Sequence, residues 1–202
     1  RYSDGKTNIV FVGRIVPNKK FEDVIACFAA YKEKYDPTAR LFLVGNYQET
    51  DTYYQYLQEY IKKCGVKDVI FPGHIAFNAI LAYYKIADLF LCMSEHEGFC
   101  VPLVEAMFFE TPIVAYASTA IPGTLGGSGV LVETKEPEMV AEAMNHVMQD
   151  AEYRSEILKK QNERLKDFAY ESIRGQILDE IEKVQQSKID KVRNQNGEEK
   201  TD

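Results

Sequence analysis

Hydrophobic and polar positions follow two alternating patterns through residues 1–132. Short runs of aliphatic, β-branched and aromatic residues are each followed by a stretch with helical spacing. The strand-like runs are residues 8–12, 40–44, 69–71, 89–92, 112–116 and 130–132. The helical stretches are residues 21–35, 52–64, 78–86 and 101–109. Because the strands are apolar on both faces, the alternation predicts a doubly wound, Rossmann-like α/β domain, with a parallel sheet covered by helices on both faces.

Beyond residue 136 the pattern is helical only. The predicted C-terminal helices are residues 138–148, 153–168 and 172–185. The last stretch has almost no apolar residues and is predicted to be disordered, because it cannot bury enough surface to order itself. The predicted organisation is therefore a Rossmann-like domain at 1–150, a helical appendix at 151–186 and a disordered tail at 187–202. Since the chain begins with Arg1, we expect it to be a piece of a longer protein.

Composition and charge exclude several classes of protein. Of 202 residues 46% are hydrophobic and the formal net charge is −7, so the basic surface that nucleic acid requires is missing. No apolar run approaches the roughly 20 residues that cross a bilayer. The four cysteines form no CxxC pair and have no histidine at metal spacing, which favours reduced, packed thiols and no metal site. These features predict a soluble, cytoplasmic protein that does not bind nucleic acid.

Basic residues follow the first predicted strand, at the edge of the sheet where doubly wound domains bind ligands. Gly13 permits a tight turn, Arg14 offers a planar set of donors for phosphate oxygens, and Lys19 adds a charge where a helix begins. We expect both basic side chains to be exposed around the cleft. The alternative interpretation is a pair of solvated basic residues at the start of a helix.

The loop after the fourth strand carries two carboxylates. Gly98 leads into a helix whose first turn contains Pro102, so free N–H groups at the helix start point toward the cleft. Glu97 precedes this helix and Glu105 lies about one turn into it. Carboxylates accept hydrogen bonds from sugar and ribose hydroxyls. The alternative is that both acids are exposed and complement the helix dipole.

These motifs resemble those of a known family. Glu97 and Glu105, separated by seven residues in EGFCVPLVEAM, are similar to the E-x7-E signature of the family 4 retaining glycosyltransferases, also called glycosyl transferases group 1. VGRIVPNKK resembles the basic loop of that family, and FPGHIAFNAILAYYKIADLFLCMSEHEGF resembles the stretch that joins the two motifs. The resemblance implies the carboxyl-terminal, donor-binding half of a GT-B fold.

The resemblance also implies roles for individual residues. Arg14 and Lys19 would contact the donor diphosphate, Glu105 would hold the ribose hydroxyls, and Glu97 would face the transferred sugar. The predicted catalytic residue is Glu97, and the predicted donor-binding residues are Gly13, Arg14, Lys19, Gly98, Phe99, Cys100 and Glu105. The cations would stabilise the leaving diphosphate without a metal ion or other cofactor. Residues 119–123 depart from the Gly-Gly-x-Pro-Glu segment of the family, so a donor contact from that loop is in doubt.

The implied function is transfer of a hexose-type sugar from a nucleotide-diphosphate sugar, with retention of configuration, in polysaccharide biosynthesis. The acceptor would bind to an amino-terminal domain outside this chain, so the chain alone is expected to be inactive. Peripheral membrane contact of the full protein stays open. The alternatives are a phosphorylase or epimerase of the same architecture and a non-catalytic nucleotide-sugar-binding module.

Overall fold

The computed structural model describes residues 2–179 together with Ile181 and Lys183. A six-stranded, fully parallel sheet lies at its centre, with the strand order β3-β2-β1-β4-β5-β6. The strands are β1 (Asn8–Val12), β2 (Arg40–Val44), β3 (Val69–Ile70), β4 (Leu89–Cys92), β5 (Ile113–Tyr116) and β6 (Val130–Val132). Helices cover both faces of the sheet, which confirms the predicted doubly wound α/β fold.

The helices lie close to their predicted positions, with one addition. They are α1 (Phe21–Lys34), α2 (Thr52–Cys64), α3 (Phe77–Lys85), α4 (Val101–Phe108), α5 (Ile121–Leu125), α6 (Pro137–Gln149) and α7 (Ala151–Leu165). The sequence analysis missed α5 because its Pro122-Gly123 pair is typical of a turn. Proline is tolerated in the first turn of a helix, where its missing N–H costs no hydrogen bond, so this short helix forms.

The core forms on the central strands, which are buried along their whole length. Phe11 of β1 packs against Phe21 of α1 and Phe90 of β4, with ring centroids 5.0 and 5.9 Å apart. β1 and β4 are adjacent in the sheet, although three α-helices and two strands lie between them in sequence. Their carboxyl ends therefore bring the basic loop and the acidic loop side by side.

The chain divides into two compact units, with the division between Arg164 and Leu165. Most of α7 belongs to the first unit, where the buried Gln161 amide donates to the Thr111 carbonyl at 3.0 Å. In the second unit, residues 170–179 are helical, in agreement with the helix predicted from residue 172. The predicted tail at 187–202 lies outside the described residues, and the domain boundary predicted at residue 150 stays a prediction. Within the described part of the chain, no helix combines the length and the apolar character needed to span a membrane.

Candidate functional site

Two glycines bring the ends of β1 and β2 close together. The Gly13 N–H donates to the Val44 carbonyl at 2.9 Å. A Cβ atom on Gly45 would lie 1.8 Å from the Gly13 oxygen, so only glycine fits there. A Cβ on Gly13 would lie 3.9 Å from the stem of Lys19. Gly13 thus leaves the backbone beside Lys19 uncovered, as a backbone contact with a ligand requires.

Lys19 and Glu97 form a buried ion pair at this edge of the sheet. The Lys19 ammonium lies 2.6 Å from both carboxylate oxygens of Glu97, and the two side chains are only 17% and 6% exposed. The expectation that Lys19 is exposed was therefore wrong. Lys19 is shielded because the fold places the Glu97 carboxylate against its ammonium, and this countercharge compensates the cost of burying the positive charge. The structure thus joins the predicted diphosphate-binding lysine to the predicted catalytic residue.

Backbone contacts hold the two loops around this pair. The Glu95 N–H donates to the Asn18 backbone carbonyl at 3.0 Å, and the side-chain amide of Asn18 donates to the His96 backbone carbonyl at 3.1 Å. Asn18 lies in a 3₁₀ turn, Pro17–Lys19, which ends in Lys20 with a left-handed φ of 52°. Because the residues that directly precede Lys19 and Glu97 are connected, the two loops are held together at the ion pair.

Hydroxyl groups beyond β5 support the acidic loop from its other side. The Thr119 hydroxyl accepts from the Glu97 N–H at 2.9 Å and donates to the Glu97 carbonyl at 3.0 Å. Ser118 donates to the Ser94 carbonyl, and Thr124 of α5 donates to the Phe99 carbonyl. The sequence analysis did not assign these residues a role. Their signal is a group of hydroxyl side chains directly after a buried strand, at the carboxyl edge of the sheet.

The start of α4 has the geometry that the sequence predicts. Cys100 is its N-cap residue, with a left-handed φ of 66°, and Pro102 lies in the first turn. Gly98 and Phe99 precede it and are exposed, and a Cβ on Gly98 would meet only open space. The helix therefore begins beside the loop of the ion pair. Pro102 has no N–H and the Leu103 N–H donates to the Cys100 carbonyl at 3.0 Å, so Val101 supplies the N–H that has no intrahelical partner.

Glu105 is fixed by a buried tyrosine. The Tyr84 hydroxyl donates to Oε2 of Glu105 at 2.7 Å. Burial, together with the Glu105 carboxylate, raises the pKa of Tyr84, so the phenol keeps its proton and donates. The other oxygen of Glu105, Oε1, accepts no hydrogen bond among the described residues. Glu105 is half-buried and thus presents one oriented, available acceptor.

Arg14 is exposed, as predicted. Within residues 2–179, its guanidinium makes no hydrogen bond or ion pair, so its donors are available to a ligand. Neither Arg14 nor Glu105 bonds directly to Lys19 or Glu97. The structure therefore brings Lys19 and Glu97 into contact and leaves Arg14 and Glu105 as separate groups of the same edge.

A groove of about 860 Å³ lies elsewhere, where α1 ends and α6 ends. Tyr35, Met139 and His146 are among its lining residues. None of the lining residues belongs to a loop at the carboxyl end of a strand. The candidate site is therefore defined by converging side chains and not by the volume of a cavity.

Sequence comparison relates the chain to a known family. The sequence model of the family described as glycosyl transferases group 1 matches residues 2–165, which confirms the resemblance. Mannosylfructose-phosphate synthase of Agrobacterium fabrum is 34% identical over 116 residues, 55% of this chain and 25% of that protein. N-acetyl-alpha-D-glucosaminyl L-malate synthase of Bacillus anthracis is 26% identical over 177 residues, 86% of this chain and 43% of that protein. The chain thus spans less than half the length of each relative.

Solved structures show the same fold. The C-terminal domain of a glycosyl transferase group 1 family protein from Francisella tularensis matches with a TM-score of 0.69 at 28% identity, over 80% of this chain and 85% of that chain. HepE of Anabaena, in complex with UDP and glucose, has a TM-score of 0.75 at 23% identity, over 88% of this chain and 48% of that chain. The likeness to HepE concerns the fold alone.

Proposed function

Because this chain belongs to the glycosyl transferases group 1 family, we propose that it is the donor-binding half of a retaining glycosyltransferase that transfers a hexose from a nucleotide-diphosphate sugar. The observation that carries the proposal is the buried Lys19–Glu97 pair at the carboxyl ends of β1 and β4. It joins a cation suited to the diphosphate and a carboxylate suited to the sugar. HepE of Anabaena, which has the same fold, was solved in complex with UDP and glucose, the parts of a donor of the proposed class.

In this proposal the diphosphate binds between Arg14 and the start of α4. Arg14 supplies paired donors for phosphate oxygens, and the N-terminal end of α4, with the Val101 N–H, supplies a partial positive charge. Lys19 adds its positive charge to the diphosphate site from its position against the Glu97 carboxylate. The leaving diphosphate is thereby stabilised by protein groups, and we propose that no metal ion is needed for donor binding.

The two carboxylates divide the hydroxyl groups of the donor. Glu105, oriented by Tyr84, accepts from the ribose hydroxyls through Oε1. Glu97, with the backbone of Gly98 and Phe99, faces the hexose. Glu97 is the proposed catalytic residue because it lies in the loop between the diphosphate cations and the helix start, where the bond to the sugar breaks.

We propose that acceptor binding belongs to an amino-terminal domain of the full protein. The chain spans 25% to 43% of the two relatives described above, which leaves room for such a domain. Positioning of an acceptor lowers a barrier by roughly 7–11 kcal/mol. This chain alone is therefore expected to bind the donor weakly and to transfer no sugar.

A ligand screen tests donor binding first. Thermal shift with UDP-, GDP-, ADP- and CMP-sugars identifies the nucleotide, and calorimetric titration then compares variants. Arg14→Ala should weaken nucleoside diphosphate binding at least about tenfold, from loss of a charge-assisted contact, and should leave the melting temperature unchanged. Lys159→Ala, an exposed lysine of α7, is the control. Equal affinity of both variants would contradict the assignment of Arg14. Addition of EDTA should not weaken binding, and a large loss would reveal a required metal.

The division between the carboxylates has its own test. Glu105→Gln should weaken binding of the free nucleotide and of the nucleotide sugar alike. Glu97→Gln should weaken binding of the sugar-bearing ligand only. Equal effects of both variants on the bare nucleotide would refute the division. Sugar transfer by the full-length protein, with retention shown by NMR of the product, distinguishes a transferase from a phosphorylase, an epimerase or a non-catalytic module.

A further inference from the structure

A cluster of two thiols and a carboxylate lies directly behind the donor site. Cys92 ends β4, Glu97 lies in the following loop, and Cys100 is the N-cap residue of α4. The ligating atoms of these three residues lie within 4.8 Å of one another, and all three residues are buried. The spacing of the cysteines gave no sign of this in the sequence, because the strand–loop–helix turn is what folds Cys100 back onto Cys92.

The donor set has the chemistry of a site for a thiophilic divalent cation. Zn²⁺ binds cysteine sulfur at about 2.3 Å and carboxylate oxygen at about 2.0–2.2 Å, and its ligands in a tetrahedral site lie nearly 4 Å apart. The separations within this cluster need to shrink by only about 1 Å to reach that geometry. A carboxylate with two thiolates leaves a fourth position for water, as in open zinc sites.

Lys19 shows how such a cation would affect the donor site. In the structure its ammonium occupies both oxygens of Glu97. A metal ion bound to Glu97 would take at least one of these oxygens, so the ion pair and the metal compete for the same carboxylate. The charges also balance, because two thiolates and a carboxylate exceed a divalent cation by one negative charge, which the Lys19 ammonium offsets.

We propose that Cys92, Cys100 and Glu97 bind Zn²⁺ or a similar thiophilic cation, and that the bound metal inhibits the donor site by withdrawing Glu97 from it. On binding, the two thiols release their protons to solvent, two metal–sulfur bonds and one metal–oxygen bond form, and the bidentate contact of Lys19 with Glu97 breaks. The metal is an inhibitor here and not a catalyst. The inhibition rests on the proposed function, whereas the metal binding does not.

Cobalt provides a direct spectroscopic test of the site. Under anaerobic conditions, Co²⁺ titrated into the chain should bind at one equivalent and give the ligand-to-metal charge-transfer absorption of thiolate coordination, which Zn²⁺ should then abolish by displacement. Cys100→Ser and Glu97→Gln should each weaken Co²⁺ binding at least about tenfold, since even an outer partner of a metal ligand contributes that much. Cys64→Ser, at the exposed cysteine, is the matched control and should bind like the parent.

The spectrum decides the proposal even where one variant folds poorly. Cys92 is fully buried, so Cys92→Ser can destabilise the fold. Its Co²⁺ binding is therefore compared with the parent only if the two proteins melt at the same temperature. Cys100→Ser and Glu97→Gln are then sufficient. Absence of the charge-transfer band in the parent, or its persistence in Cys100→Ser, would overturn the site.

Inhibition is measured separately, with the nucleotide sugar identified by the screen. Zn²⁺ should weaken its binding to the parent and to Cys64→Ser but not to Cys100→Ser, and EDTA should restore it. Recovery with a reductant and not with EDTA would indicate a disulfide and overturn the metal proposal. If no nucleotide sugar binds at all, the proposed function fails while the cobalt spectrum still tests the site.

Discussion

The Lys19–Glu97 pair allows a quantitative prediction about stability. Lys19→Met keeps the volume of the stem and removes the ammonium, which leaves the Glu97 carboxylate without its countercharge. That side chain is only 6% exposed, and among the described residues Lys19 is the one side-chain partner of its oxygens. Breaking a buried pair by removing one partner costs roughly 3–5 kcal/mol. Since the cleft admits water to one side of the pair, we expect the lower end, about 3 kcal/mol.

Urea unfolding at neutral pH measures this loss, and in a chain of this size it corresponds to a fall in melting temperature of about 6–12 °C. Lys20→Met is the control. Its ammonium lies 3.4 Å from Glu95, whose side chain is 51% exposed. A surface pair of this kind contributes at most about 1 kcal/mol.

The double variant Lys19→Met/Glu97→Gln separates charge from packing. With both charges gone, no unpaired carboxylate stays buried, so most of the loss should be recovered and the double variant should lie within roughly 1 kcal/mol of the parent. If the single losses add instead, or if Lys19→Met costs no more than Lys20→Met, the pair is not electrostatically coupled in the way its burial implies.

Three further predictions concern the surroundings of the site. Gly45→Ala places a Cβ 1.8 Å from the Gly13 oxygen and should lower stability by more than about 3 kcal/mol in urea titration; a neutral effect would contradict the close approach. Burial raises the pKa of the Cys27 thiol to about 12, so above about pH 8.5 the unfolded chain loses a proton that the native state keeps, and stability falls as pH rises. Measured by urea titration, the free energy of unfolding should fall between pH 7 and pH 9.5 by about 1.4 kcal/mol more in the parent than in Cys27→Ala. An equal fall in both proteins would refute the raised pKa of Cys27. Tyr84→Phe removes the hydrogen bond to Glu105 and should cost about 1.5–3 kcal/mol of stability and weaken nucleotide binding, whereas unchanged calorimetric affinity would show that Glu105 needs no orientation.

Much of the fold is predictable because its strands are apolar on both faces. A run such as 89–92, followed by a helical stretch, has few structures open to it other than a buried parallel strand with a crossover helix. The short helix α5 is the exception. Its Ile-Pro-Gly-Thr-Leu sequence carries turn residues, and the contact that fixes it, Arg164 donating to the Thr124 carbonyl at 3.0 Å, lies 40 residues away.

The residues of the candidate site could be proposed from the sequence, but their contacts could not. Loop position at the carboxyl ends of strands singled out Arg14, Lys19 and Glu97 as candidates, and Glu105 was added from the first turns of the helix that follows. The pairing of Lys19 with Glu97, 78 residues apart, depends on β1 and β4 being neighbours in the sheet. Local sequence carries no information on which strands become neighbours in the sheet. The support from Thr119 was missed for the same reason.

The buried pair changes how the cleft attracts its ligand. In the sequence, Arg14 and Lys19 count as two positive charges facing a diphosphate. In the structure the charge of Lys19 is offset by Glu97, so the positive potential of the cleft comes mainly from Arg14 and the start of α4. The chain carries a net charge of −7, which opposes the approach of an anion. Under the proposed function, the diphosphate is therefore held mainly by short-range contacts with oriented donors and not by long-range attraction.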